Sequence, residues 1–167
     1  MTMLFKRALR MRTPLLVFLL VACLCVVGPL RADDAVTVED AMSRFLKALD
    51  SHDLPRLLEF FASEATVFFP DSPTGTSLKR LRGSDMEAAW RALFEYGKKI
   101  SSRTTPPFMN ITPQDLLIDH VSNDLAVVTF HLGTDTRIGR RTFVWKHSPS
   151  GWKIVHLHAS TLTVAPR

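Results

Sequence analysis

The spacing of apolar residues changes period midway along the chain, and the change divides it into a helical half and a β half. From Ala35 to Asp50, Val38, Ala41, Met42, Phe45, Leu46 and Leu49 recur every three or four residues, which predicts a helix with one apolar stripe. Thr37 stands where an N-cap belongs, with Asp40 in the capping-box place three residues on. Ser51-His52-Asp53 closes this helix; Asp53 and Pro55 then suit the cap and first turn of a shorter one over Pro55–Phe61. Ala65–Phe69 reads as a short strand, 70–77 as a loop of Pro, Asp, Ser, Thr and Gly, and Leu78–Arg82 as a brief exposed strand. A third helix is predicted from Ser84 to about Lys99, capped by Ser84 and Glu87, with Met86, Ala89, Trp90, Leu93, Phe94 and Gly97 on its inner side.

Beyond the proline-bearing connector Ser101–Pro107 the period shortens to two. Phe108–Asp119 and Leu125–Leu132 read as strands, and Arg140–Ser160 reads as a hairpin turning at Ser148-Pro149-Ser150-Gly151. In its second arm Trp152, Ile154, His156 and His158 share one face, and Lys153, Val155, Leu157 and Ala159 share the other. Both faces carry apolar residues, which predicts a strand covered on both sides. Helices followed by an antiparallel meander make an α+β domain, with helices packed on one face of a curved, mainly antiparallel sheet. Such a cone leaves a mouth suited to a ligand.

The N-terminal 32 residues follow a different rule. Lys6, Arg7, Arg10 and Arg12 precede an apolar run from Leu15 to Val27, and Leu30-Arg31-Ala32 offers a small residue before Asp33-Asp34. This is the pattern of a secretory signal peptide over residues 1–32, leaving a domain at 33–167 and placing it in the periplasm or outside the cell. Leu20-Val21-Ala22-Cys23 also resembles a lipobox, so a lipid on Cys23, or a retained leader, is the route by which a membrane becomes a partner.

The leader holds five of the 21 Lys+Arg, and the 16 that remain balance all 16 Asp+Glu. A neutral domain lacks the basic stripe that nucleic acid requires. Both cysteines, Cys23 and Cys25, lie in the leader too, so the remaining domain has no disulfide, thiol ligand or thiol nucleophile.

Phe143-Val144-Trp145, followed by Gly151-Trp152-Lys153-Ile154-Val155-His156-Leu157-His158 and Val164-Ala165-Pro166, resembles the association (hub) domain of calcium/calmodulin-dependent protein kinase II. Ala41 to Val67 resembles the opening of ketosteroid isomerases and SnoaL-like proteins. The whole of Val36–Pro166 thus resembles the SnoaL-like branch of the nuclear transport factor 2-like superfamily. The resemblance implies the cone fold and a homodimer or larger homo-oligomer built through the sheet. It does not carry over the isomerase chemistry. Phe69 stands where that family's aspartate base precedes a proline, and Phe45 stands where its oxyanion-binding tyrosine falls. The hub domain's pocket arginines map to His131, Phe143 and Ala159.

The expected ligand pocket is therefore aromatic: Phe45, Phe69, Trp90, Phe94, His131, Phe143 and Trp145, around a small, mostly apolar molecule. The bland alternative for these rings is ordinary core between helix and sheet. His131, His156 and His158 are the candidate catalytic groups, as a general base of an isomerase or hydrolase. Three imidazoles can also hold zinc, but His-x-His belongs to the hub-like signature as a structural element, so neither metal nor cofactor is expected. Arg137, Arg140 and Arg141 form a basic cluster that reads as a solvated hairpin edge or, alternatively, an anion site.

Overall fold

In a computed structural model, residues 36–70, 79–134 and 136–163 are described. The leader with Cys23, most of the loop at 70–77, and Val164-Ala165-Pro166 lie outside the described residues. Thr37 caps α1 (Val38–Asp50) as expected, its hydroxyl accepting from the Asp40 amide at 3.2 Å. Asp53 caps α2 (Leu54–Leu58) in the same way through the Arg56 amide. This second helix is shorter than its sequence suggests. Phe61 belongs instead to β1 (Phe61–Phe68), where it pairs with Ile154. Of the brief strand expected at 78–82, one bridge forms, between Leu81 and Val67. α3 (Gly83–Ile100) begins one residue before Ser84, and its N-cap Arg82 makes no side-chain cap bond, so the expected Ser84 cap is not made.

The remaining strands are β2 (Gln114–Ser122), β3 (Leu125–Thr134), β4 (Arg137–Ser148) and β5 (Gly151–Thr163). They form one sheet in the order β1-β5-β4-β3-β2, antiparallel except for the parallel β1–β5 pair. β2 starts six residues later than the expected Phe108, because residues 108–111 spend their amides elsewhere. The Phe108 amide donates to the Asp50 carbonyl, and the Met109 and Ile111 amides donate to the Asp50 carboxylate at 3.1 and 3.3 Å. The C-terminus of α1 thereby straps down the connector that leaves α3.

One face of the sheet is sealed by α1 and α3. Val38, Met42 and Phe45 from α1 and Trp90 and Phe94 from α3 meet Ala126, Val128, Phe130, Phe143, Trp145, Ile154 and Leu157 from the sheet, all buried. The other face is open. It presents two cross-strand rows, Asp119-Val127-Val144-His156-Thr66 and Leu117-Thr129-Thr142-His158-Phe68.

β5 does not keep a single alternation. Trp145 pairs with Ile154 but Val144 pairs with His156, so Val155 is an extra residue in a β-bulge. A bulge shifts which residues face which side. Ile154 and Leu157, three apart, therefore both point into the core, while His156 and His158 point to the open face. The apolar residues on both sides of this strand follow from that shift rather than from cover on both faces.

Candidate functional site

The expected aromatic pocket set is buried. Phe45, Phe69, Trp90, Phe94, Phe143 and Trp145 are each 5% exposed or less. Phe45 meets Phe143 edge-on at 5.2 Å and Trp145 at 6.2 Å, Phe69 meets Trp90 at 4.7 Å, and Trp90 meets Phe94 at 6.0 Å. These are favoured ring geometries for a core. None of the six lines the clefts found among the described residues.

The three candidate histidines leave the cone altogether. His131 sits half-buried on β3 between Gln114 and Arg140. His156 and His158 lie on the open face beside Phe68, at 6.1 and 5.8 Å from its ring. His156 Nδ1 is 2.6 Å from Thr66 Oγ1. Burial first, then the charges of His158 and Arg80, hold His156 below the usual histidine value. Among the described residues no group of three His, Cys, Asp or Glu is placed to hold a metal.

A cleft among the described residues lies elsewhere, at the mouth of the cone. It encloses about 710 Å³ between the end of α3 with the strapped connector on one side and the β3–β4 hairpin on the other. Ile100, Met109, Ile111 and Leu132 give it apolar walls, Asn110, Thr112, Gln114 and Thr161 give it neutral polar groups, and Arg137 and Arg141 give it charge. Among the described residues no Asp, Glu, His or Cys lines it. Asp50 shapes one wall through its hold on Met109 and Ile111.

The basic cluster of the β4 hairpin is thus divided by the period of the strand. Arg140 faces out beside His131 and Ser160, whereas Arg137 and Arg141 face the cleft. Arg141 lies back over Gly139, and its Nη1 donates to the carbonyls of Arg140 at 2.9 Å and Ser160 at 3.1 Å. Alternation along the strand was the signal that separates Arg140 from Arg141. The connector residues Met109 and Ile111 carried no such signal, because a contact 59 and 61 residues away in sequence places them.

Smaller clefts of about 460 and 270 Å³ flank the molecule. The first runs along Leu93, Tyr96, Gly97 and Phe108, and the second along Phe61, Glu64, Lys146 and Lys153.

A profile of the SnoaL-like domain family matches residues 38–165. No curated protein matches the sequence. Among solved structures, a protein of unknown function from Pectobacterium atrosepticum is similar at 24% identity and a TM-score of 0.59, covering 79% of this chain and 93% of that one. A nuclear transport factor 2-like protein of unknown function from Pseudomonas putida is similar at 19% identity and a TM-score of 0.56, covering 74% and 82%. A protein from Thiobacillus denitrificans, described as a calcium/calmodulin-dependent protein kinase type II association domain, is similar at 21% identity and a TM-score of 0.54, covering 77% and 97%. At these identities the structures show the shared cone fold and nothing finer.

Proposed function

The chain belongs to the SnoaL-like domain family, and we propose that it is an exported, self-associating binding module that holds a small, mostly apolar molecule in the mouth of its cone. The observation that carries this reading is the composition of the cleft. Ile100, Met109, Ile111 and Leu132 supply apolar wall, Asn110, Thr112, Gln114 and Thr161 supply neutral polar groups, and no described side chain lining it is a general base at neutral pH. A binding cavity needs shape and a few fixed polar groups; acid–base turnover needs a titrating group within reach of the reacting proton. The alternative, an isomerase or hydrolase with a pocket histidine as base, draws less support, since His131, His156 and His158 sit on the other face of the sheet.

Self-association is supported by the open face, whose central positions Val127, Thr129, Thr142 and Val144 form an uncharged patch, and by the likeness to structures described as association domains. Export is supported by the basic, apolar and small-residue order of residues 1–32.

Native mass spectrometry of the full chain, purified gently from expressing cells, tests all three parts. The expected spectrum is an oligomer carrying a small adduct, with its N-terminus near Asp33. A monomer free of adduct that takes up no apolar probe overturns the binding and assembly readings. A mass increment of a diacylglycerol at Cys23 replaces plain cleavage with lipidation.

A further inference from the structure

We propose that the ligand of the mouth cleft is a small amphiphile with an oxyanion head, and that Arg141 is the residue that holds this head while Ile100, Met109, Ile111 and Leu132 take its apolar body. This rests on the reading of the cleft as a binding site and names the class of molecule it takes.

Arg141 is a cation without a counter-charge among the described residues. Among the described residues no carboxylate pairs with it, and none lines the cleft. A guanidinium has five N–H donors in a planar fork. Nη1 uses the Arg140 and Ser160 carbonyls, which fixes the plane of the group; for the Nε and Nη2 donors no protein acceptor is found among the described residues. Burial disfavours its charged form relative to an ordinary arginine. A charge drawn out of water and only half hydrogen-bonded is costly unless something pairs with it. The match for a fixed guanidinium edge is a planar or tetrahedral oxyanion, which accepts two parallel N–H bonds.

The strand is built to admit this arrangement. A Cβ at Gly139 would stand 2.9 Å from Nη1 and 3.1 Å from Nη2, and 3.2 Å from the Leu132 carbonyl. Glycine at 139 leaves room for the guanidinium in its present place, and Arg141 lines the cleft there. Arg137, two residues earlier and lining the same cleft, adds positive charge at the rim. Beside this polar end Ile100, Met109, Ile111 and Leu132 supply hydrocarbon wall, and Ile100 and Met109 are exposed enough to meet a ligand, at 65% and 44%.

The test compares two probes that share a chain and differ in the head: octanoate and octan-1-ol, titrated by calorimetry into the full chain at neutral pH. The expected result is octanoate binding at least about tenfold more tightly than octan-1-ol, with Arg141→Gln removing the preference and leaving the alcohol unchanged. Arg141→Lys keeps charge without the fork and is expected to fall between. Gly139→Ala, which displaces the guanidinium, is expected to weaken octanoate alone. Equal affinity of the wild-type chain for both probes overturns the inference and leaves the cleft a binding site. Binding of neither probe overturns the cleft reading itself. A preference that persists in Arg141→Gln removes Arg141 from the role, and the wild-type comparison decides the anion question even if that variant fails to fold.

Discussion

Thr66 Oγ1 and His156 Nδ1 lie 2.6 Å apart across the parallel pair of the first and last strands, on the face of the sheet away from the helices. The contact holds a half-buried imidazole whose protonation is opposed by burial, by His158 and by Arg80. A histidine held below its unfolded value favours the fold when neutral. The unfolded chain therefore takes up the proton first as pH falls through about 6.5, and stability drops until the folded value is passed. Thermal unfolding is expected to move to lower temperature between pH 7 and pH 5. Thr66→Val is expected to cost about 1 kcal/mol in denaturant titrations.

A second imidazole acts in the same direction. His52 ends α1 as the left-handed residue of a Schellman turn, with φ of 52°, its amide on the Leu49 carbonyl and the Asp53 amide on the Ala48 carbonyl. Its ring is stacked between Phe94 at 4.7 Å and Phe108 at 4.9 Å, and neither ring nitrogen has a partner among the described residues. Burial and then Lys98 lower its pKa, against a smaller opposing pull from Asp50. His52→Asn, which tolerates the left-handed backbone, is expected to flatten the acid-side loss of stability whatever its effect at pH 8. A slope unchanged by this substitution assigns the loss to His156.

Gly97 is the floor of that stack. A Cβ there would come within 2.7 Å of the His52 ring. Gly97→Ala, which elsewhere in a helix gains stability, is expected here to lose about 1–3 kcal/mol by overpacking. Equilibrium unfolding in urea reads the difference.

If Trp145 and Phe45 are core, their truncation must cost the fold. Trp145→Ala and Phe45→Ala are each expected to remove about 3–5 kcal/mol. Trp145→Phe is expected to cost much less, because the indole N–H has no acceptor to lose. A stable Trp145→Ala protein that has lost only ligand binding would return these rings to a pocket.

Asp50 is expected to influence ligand binding without touching ligand. Its carboxylate holds the amides of Met109 and Ile111, which form one wall of the mouth. Asp50→Ala frees both amides and is expected to weaken octanoate binding about tenfold or more, with higher amide exchange over residues 108–111. Unchanged affinity would show that the wall keeps its shape without this strap.

The helices, the meander and the aromatic stripe were legible because periodicity reports burial directly: Val38, Phe45, Trp90 and Phe94 were placed on the apolar helix faces by their spacing. The positions of His156 and His158 were not, because one extra residue, Val155, reverses the parity that spacing assumes, and a bulge leaves no mark in a run of apolar residues. The cleft was illegible for another reason. Its connector wall is set by Asp50, and its cation is separated from a solvent-facing neighbour only by strand register. The first is a fact of tertiary structure with no local signature; the second follows from alternation once the strand is placed in the sheet.

The parallel β1–β5 pair also sets the order in which the molecule can be completed. Thr66 waits for a partner 90 residues downstream, so β1 keeps an unpaired edge until the last strand has been synthesised. Local contacts form the helices and the β2–β5 meander early, but joining the two halves requires closing a long loop whose entropy is paid before any contact repays it. A chain cut after Ser148 therefore loses more than its final strand. It leaves β1 and β4 as two open edges inside what should be a continuous sheet, a species that seeks another chain's strand to fill the gap.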